Sequence, residues 1–224
     1  MTQPSFAFSP AVMAQRSEPH DSLDFFPTPP WATRAFVAHV AYPILGVRTD
    51  DIVLEPACGE GHMAEPLREV YPLTIASDIH PYGYGAVFDF LEAGPNRGAC
   101  DWAFTNPPFN RAVEFARMAL SLARRGVGLL VRTQWLHAIE RYELFCDHPP
   151  FVIAYYVERV PMHRGRWEPE GSTATDYCWV CWEHGAEPRA PLWIPPGQRL
   201  ALTRPDDAAR FARPVAAPLF EAGA

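Results

Sequence analysis

The distribution of hydrophobic and polar positions predicts strands and helices that alternate along most of the chain. Short apolar runs that end at a turn are typical of buried strands, whereas apolar residues three or four positions apart are typical of helices. The predicted strands are 51–54, 73–77, 86–90, 102–105, 127–131, 151–160 and 175–182. The predicted helices are 31–40, 61–70, 111–124 and 136–145, with one more around 206–211.

This order of elements predicts an α/β fold. Strands that alternate with helices form βαβ units, which give a mostly parallel sheet with helices on both faces. The last two strands are joined only by residues 161–174, which show no helical pattern, and such a connection favours an antiparallel pair. We therefore expect a mostly parallel sheet with one reversed strand.

The composition is that of one globular domain. The 224 residues are 48% hydrophobic and 20% charged, which is enough to bury a full core. We expect a loose N-terminal arm at 1–23, a folded domain at 24–184 and an irregular C-terminal tail at 185–224. The sequence has no long apolar stretch and no signal-peptide pattern, so we expect a cytoplasmic protein without membrane contact.

The cysteines and histidines do not indicate a metal site. Five scattered cysteines suit a reducing compartment. Cys178 and Cys181 form a C-x-x-C, but the surrounding pattern predicts a strand, which would point the two thiols to opposite faces. His62, His80 and His163 lack the spacing of metal ligands, so we expect no metal.

The charge of the chain gives two opposing indications about a nucleic-acid partner. The net charge of -7 argues mildly against the binding of a polyanion. The 19 Lys and Arg positions are all arginine. Several basic residues nevertheless cluster within one short segment at the end of the strand at 151–160 and after it, namely Arg159, His163, Arg164 and Arg166. Guanidinium groups bind phosphate well, so this segment is a candidate nucleic-acid contact, with an ordinary solvated loop as the alternative. Trp167 is either a stacking residue or a hydrophobic anchor.

Polar and glycine-rich motifs follow, or form the end of, four of the predicted strands. In an open parallel sheet the carboxyl ends of the strands share one edge, where ligands bind. These motifs are Glu55-Pro56-Ala57-Cys58-Gly59-Glu60-Gly61, Asp78, Asp89-Phe90 and Asn106-Pro107-Pro108-Phe109. If the strand at 151–160 is parallel to the others, the arginine segment lies over the same edge. We therefore expect one site.

The Asn106 loop suits chemistry on a flat amino nitrogen. An amino group conjugated into an aromatic ring or an amide is a poor nucleophile, because its lone pair is delocalised. The side-chain oxygen of Asn106 and the carbonyl of Pro107 can each accept one N–H hydrogen bond and favour a pyramidal nitrogen. Pro107 and Pro108 stiffen the loop. The loop alone leaves open whether the nitrogen belongs to an amide or to a base.

The other motifs suit a nucleoside-like ligand. Gly59 and Gly61 allow the backbone to approach a ligand where a helix begins. Asp78 can accept hydrogen bonds from ribose hydroxyls, with a turn or capping role as the alternative. Asp89 and Phe90 can bind an adenine amino group and pack on its ring, although a surface acid beside a core aromatic explains them nearly as well.

Taken in order, these motifs and the preceding Phe26-Pro27-Thr28-Pro29 resemble the amino-group DNA methyltransferases, which modify adenine N6 or cytosine N4. The resemblance covers about residues 24–184. The stretch from Arg159 to Trp167, followed by 172–179, is similar to the small adenine methyltransferases of phages and prophages. The resemblance implies a Rossmann-like methyltransferase fold with a seven-stranded sheet whose last strand is reversed, and S-adenosylmethionine as the cofactor.

The resemblance also implies roles for individual residues. The cofactor-binding residues would be Phe26, Thr28, Pro29, Glu55, Ala57, Gly59, Gly61, Asp78, Asp89 and Phe90. The catalytic residues would be Asn106, Pro107, Pro108 and Phe109, with the target base stacked on Phe109. The residues that contact nucleic acid would be Arg159, His163, Arg164, Arg166 and Trp167.

In the family that the sequence resembles, Asn at position 106 favours adenine over cytosine, so the resemblance implies N6 of adenine in DNA as the target. The alternatives are an RNA adenine-N6 methyltransferase, an N4-cytosine DNA methyltransferase, a protein glutamine methyltransferase and a catalytically degenerate cofactor-binding module. The sequence does not determine the target sequence, the strandedness of the substrate, or whether the protein is a monomer or a homodimer.

Overall fold

The computed structural model describes residues 24–94 and 98–212. The expected N-terminal arm at 1–23 and the last part of the expected tail lie outside these ranges. The strands are β1 (Val53–Glu55), β2 (Thr74–Asp78), β3 (Ala86–Val87), β4 (Cys100–Thr105), β5 (Ala123–Arg132), β6 (Val152–Tyr156), β7 (Tyr177–Glu183) and β8 (Leu192–Ile194). The α-helices are α1 (Pro30–Phe36), α2 (Ala64–Arg68), α3 (Ala112–Leu122), α4 (Ile139–Asp147), α5 (Gln198–Leu202) and α6 (Asp207–Phe211).

The eight strands of the described part form one sheet in the order β3-β2-β1-β4-β5-β7-β6-β8. β7 pairs antiparallel with both β5 and β6, and the remaining pairs are parallel. This confirms the α/β class and the mostly parallel sheet with one reversed strand. The expected number of seven strands is wrong, because β8 adds an eighth strand at the edge beside β6.

Residues 185–212 are more regular than the expected irregular tail. β8 pairs with β6, and α5 follows it, while α6 confirms the helix predicted around 206–211. The guanidinium of Arg34 in α1 joins Asp207 at 2.7 Å and Glu69 at 2.9 Å, and all three side chains are largely buried. These contacts hold α6 against α1 and the end of α2. The expectation failed here because a three-residue strand flanked by prolines is too short to show an alternating pattern.

Several predicted elements end earlier or later than their pattern indicates. The helix predicted at 31–40 is α1 followed by a π-helical turn at Val37–Ala41. The strand predicted at 86–90 is only β3, because a 3₁₀ turn begins at Phe90. Helix ends depend on capping and on neighbouring elements, which a periodic pattern does not record. Among the described residues, the structure contains no helix with the length and apolar character needed to cross a bilayer.

The sheet is covered on both faces, and β7 shows this most clearly. Tyr177, Trp179 and Cys181 pack in the cluster that includes α1. The alternate residues of β7, including Cys178, pack in the cluster that includes α3. Cys178 and Cys181 are therefore buried thiols on opposite faces of a strand, as the sequence pattern predicts. Burial raises the pKa of Cys178 to about 12, so its thiol is unreactive at neutral pH.

Candidate functional site

A cavity of about 340 Å³ lies at the carboxyl ends of β1, β2 and β4. This is the edge at which the motifs were expected to meet. Most of the sequence-predicted site residues line it, namely Phe26, Thr28, Glu55, Ala57, Asp78, Asp89, Phe90, Asn106, Pro107, Pro108 and Phe109. Pro29, Gly59 and Gly61 are not among the lining residues. Parallel strands therefore bring residues from distant parts of the chain to one cavity.

The side-chain amide of Asn106 is held in one orientation. Its Nδ2 donates to the carbonyl of Phe26 at 2.9 Å and lies 3.2 Å from the hydroxyl oxygen of Thr28. A carbonyl can only accept, so this contact assigns Nδ2 and Oδ1 of the amide. Oδ1 is buried and has no hydrogen-bond partner. The Phe26–Thr28 segment thus leaves Asn106 with an oriented acceptor that is not in use.

The Asn106 loop continues into a short 3₁₀ turn at Phe109–Arg111. The backbone N–H of Phe109 donates to the carboxylate of Asp24. The Phe109 ring packs against Phe26, with 5.0 Å between the ring centroids. The segment before α1 therefore fixes both ends of the Asn106–Phe109 loop, through Asn106 and through Phe109.

Glu55 ends β1 inside the protein and lines the cavity. Its Oε1 accepts hydrogen bonds from the Thr105 hydroxyl at 2.7 Å and from the Ala57 N–H at 3.2 Å. Its Oε2 is buried and has no partner. Burial raises the pKa of the Glu55 carboxyl to about 8, against the opposing effect of these hydrogen bonds. A cationic group at Oε2 would favour the ionised carboxylate.

The turn after β1 is held by Asp78 at the end of β2. The carboxylate of Asp78 accepts the N–H of Gly59 and the N–H of His80, each at 2.9 Å. Gly59 and Gly61 both have positive φ, and a side chain on them would collide with the rings of Phe25 and Tyr84. The two glycines thus make room for aromatic rings of the protein itself. Each oxygen of Asp78 accepts one of these bonds and retains a lone pair for a ligand hydroxyl.

Asp89 and Phe90 begin a 3₁₀ turn beside the cavity. The carboxylate of Asp89 accepts the N–H of Leu91 at 2.9 Å, so this residue caps the turn. Phe90 is buried and packs on Phe115, with 5.1 Å between ring centroids. Both therefore have structural partners in addition to their place at the cavity.

The arginine segment lies next to the cavity. The N–H of Gly165 donates to the carbonyl of Phe25 at 2.7 Å, and the sulfur of Met162 lies 3.6 Å from Nδ2 of Asn106. The arginines of this segment are exposed. Arg166 binds Glu168, and Arg159 lies 3.9 Å from Asp176.

His163 and Trp167 face the protein more than the arginines do. His163 lies 3.8 Å from the carboxylate of Glu168. Trp167 is only 4% exposed and packs on Phe211 of α6, with 6.5 Å between ring centroids. In this arrangement Trp167 is a hydrophobic anchor that joins the arginine segment to α6, and its ring faces are not available to a base.

Several cavity residues have no motif that would have identified them. His62 follows the glycine-rich turn, and its Nε2 lies 2.9 Å from the carbonyl oxygen of Phe211. Burial lowers the pKa of His62 to about 4, so it is neutral at physiological pH. Phe25 stacks on Tyr82 at 4.7 Å between centroids. The sequence signal for Phe25 and His62 is their position next to Phe26 and Gly61. No group of three potential metal ligands occurs within 24–94 and 98–212.

Comparison with known proteins identifies the fold. No family model matches the chain, and no curated protein matches it. Solved structures match the chain. One of them is a protein from Listeria monocytogenes that is assigned to the class I S-adenosylmethionine-dependent methyltransferases. It superposes with a TM-score of 0.55 at 11% identity, over 84% of this chain and 70% of that one. The chain thus has the Rossmann-like fold of these methyltransferases.

Two further structures share this fold. A protein assigned as an RNA methyltransferase from Pyrococcus horikoshii has a TM-score of 0.54 at 12% identity, over 75% of this chain and 90% of that one. A modification subunit assigned to a type I restriction enzyme from Vibrio vulnificus has a TM-score of 0.50 at 15% identity, over 83% of this chain and 51% of that one. The chain spans about half the length of that subunit.

Proposed function

We propose that this protein transfers a methyl group from S-adenosylmethionine to the N6 amino nitrogen of adenine in DNA. The observation that carries the proposal is the side chain of Asn106, whose Oδ1 is buried, unpartnered and held in orientation by Phe26 and Thr28. A buried acceptor without a donor is costly unless a ligand supplies one. An exocyclic amino group of a base supplies such a donor.

The cavity fits the proposed cofactor. Its volume of about 340 Å³ lies within the range of small-molecule sites, which runs from about 300 to 1,000 Å³. The unpartnered Oε2 of Glu55 suits a positively charged amino group, and Asp78 suits ribose hydroxyls. Asp89 and Phe90 then face the adenine ring. S-adenosylmethionine supplies a sulfonium methyl group, whose transfer breaks the carbon–sulfur bond and leaves a neutral thioether.

The residues of the Asn106 loop prepare the amino nitrogen for attack. Oδ1 of Asn106 and the Pro107 carbonyl accept its two N–H bonds, while the base stacks on Phe109. The nitrogen lone pair then attacks the methyl carbon, and the resulting ammonium loses one proton to water. The mechanism therefore requires no histidine or glutamate base. Preorganised acceptors stabilise the charge that develops on the nitrogen.

The exposed arginines favour a polynucleotide as the substrate. Arg159, Arg164 and Arg166 lie on a segment that bonds to Phe25 at the cavity. Guanidinium groups in this position can bind the phosphates that flank a target base. The amide of a protein glutamine could bind to the same Asn106 loop, but it carries no phosphate for these arginines to bind.

Incorporation of label from radioactive S-adenosylmethionine tests the proposal. The protein is incubated separately with duplex DNA, single-stranded DNA, total RNA and a protein extract. We expect label in DNA. Label in RNA alone would support the RNA adenine alternative, label in protein alone would support the glutamine alternative, and label in none would indicate a degenerate binding module. Each of these three results would overturn the DNA proposal.

A further inference from the structure

Arg132 is the last residue of β5 and belongs to none of the motifs that predicted the site. Its guanidinium carbon lies 3.9 Å from the centroid of the Phe109 ring and 5.6 Å from the centroid of Phe26. A guanidinium over an aromatic face is attracted by the negative potential of that face, and its planar shape allows close contact. Arg132 therefore stacks on the ring to which we assign the target base.

Arg132 and Phe109 are held by different parts of the fold. Arg132 is paired with Tyr177 in the antiparallel register of β5 and β7, within the sheet. Tyr177 is buried, which raises the pKa of its hydroxyl, and the nearby guanidinium of Arg132 opposes this rise. Phe109, in contrast, lies on the loop after β4. The arginine can thus act as a fixed support for a ring on a loop.

A second observation concerns Nε of Arg132. This atom is buried and has no hydrogen-bond partner. No hydrogen bond orients the guanidinium at Nε, although its other nitrogens lie near the Tyr177 hydroxyl, and the guanidinium stacks on Phe109. A buried donor without a partner costs free energy, and the stacking of the guanidinium on Phe109 offsets part of this cost.

We propose, on the basis of the function proposed above, that Arg132 positions Phe109 for the target base. The guanidinium covers one face of the Phe109 ring and holds the ring at a fixed angle. The base stacks on the opposite face, so that its amino group meets Oδ1 of Asn106. Arg132 is in this sense a positioning residue, since it acts on the base through Phe109.

The test compares Arg132→Ala and Arg132→Lys with the wild type. Lysine keeps the charge but loses the planar stack, and it guards against a failure of the alanine variant to fold. The control is Arg189→Ala, because the guanidinium of Arg189 lies 5.9 Å from the Phe151 ring, away from the cavity. The measurements are kcat and KM for the DNA that the wild type methylates, the Kd for S-adenosylmethionine, and the fluorescence of 2-aminopurine at the target adenine.

We expect the KM for DNA to rise roughly threefold to thirtyfold in Arg132→Ala, which is the range of a desolvated cation–π contact. Arg132→Lys should lie between this variant and the wild type. Stacking on an aromatic ring quenches 2-aminopurine, so its fluorescence in the complex should increase in both variants. The Kd for S-adenosylmethionine should stay within about twofold of the wild type, and Arg189→Ala should behave as the wild type.

Two results would overturn the inference, and they are distinguishable. If the wild type methylates DNA and both Arg132 variants keep its KM and its 2-aminopurine fluorescence, the positioning role fails while the proposed function stands. If the wild type methylates no nucleic acid, the proposed function fails and the positioning role fails with it.

Discussion

Glu55 is a carboxylic acid buried at the end of a strand, and burial raises its pKa from 4.5 to about 8. In the unfolded chain the carboxyl loses its proton near pH 4.5, whereas in the folded chain it retains the proton to about pH 8. Between these values the folded state binds more protons than the unfolded state. The contribution of the Glu55 carboxyl to the free energy of unfolding is therefore fully present below about pH 4.5. It is lost as the pH rises toward 8, by at most about 1.4 kcal/mol per pH unit.

Glu55→Gln should remove this part of the pH dependence, because the amide has the shape of the neutral acid and does not ionise. We expect the free energy of unfolding of the variant to fall less steeply than that of the wild type between about pH 5 and pH 8. Urea denaturation at several pH values measures both slopes. Parallel curves for the two proteins would show that Glu55 is ionised in the folded state and that its assigned environment is wrong.

At the scale of single residues, the sequence predicts those site residues whose chemistry is tied to a local motif. Asn106 and Glu55 belong to this group, because each directly follows or ends a strand. Arg132 and His62 do not, since their importance depends on contacts with Phe109 and Phe211 that are distant in sequence. Trp167 shows the reverse case, because only the packing of α6 decides that its ring is buried.

The C-terminal elements connect the arginine segment with the cavity. The guanidinium of Arg199 in α5 donates to the carbonyls of Pro169 and Gly171, which follow this segment directly in the chain. In α6, the ring of Phe211 contacts Trp167, and its carbonyl oxygen contacts His62. α5, which was not expected, and α6, which matches the helix expected around 206–211, thus both pack against the segment of the proposed nucleic-acid contact. A long apolar run reveals a strand such as β7, but the three residues of β8 are too few to form such a run.

The arginine segment predicts a specific salt dependence. Arg166→Ala should weaken DNA binding at all sequences, because phosphate contacts carry no sequence information, and should lower the slope of log K against log salt by about one. Arg48→Ala is a matched control, since Arg48 is also exposed and also pairs with an acid two residues away, but it precedes β1 at the opposite edge of the sheet. Binding titrations at several salt concentrations give both slopes. Equal slopes for the two variants would exclude a phosphate contact by Arg166.

Over the whole molecule, one parallel sheet accounts for the position of the site. The pattern of strands and helices predicts the α/β class and the shared edge, and the structure confirms both. The net charge of -7 describes the whole surface and does not reveal the local arginines beside the cavity. The net charge therefore argues against a nucleic-acid partner, whereas the arginines beside the cavity favour one. The methylation assay distinguishes the two.

The most direct test of the central claim identifies the methylated nucleoside. DNA treated with the protein and S-adenosylmethionine is digested to nucleosides, which are identified by mass spectrometry. The proteins compared are the wild type, Asn106→Ala and Gln198→Ala, a control that removes an amide far from the site. We expect N6-methyladenine from the wild type and the control, and a rate lower by roughly 10² to 10³ for Asn106→Ala. N4-methylcytosine as the product, or an Asn106→Ala variant as active as the wild type, would contradict the account.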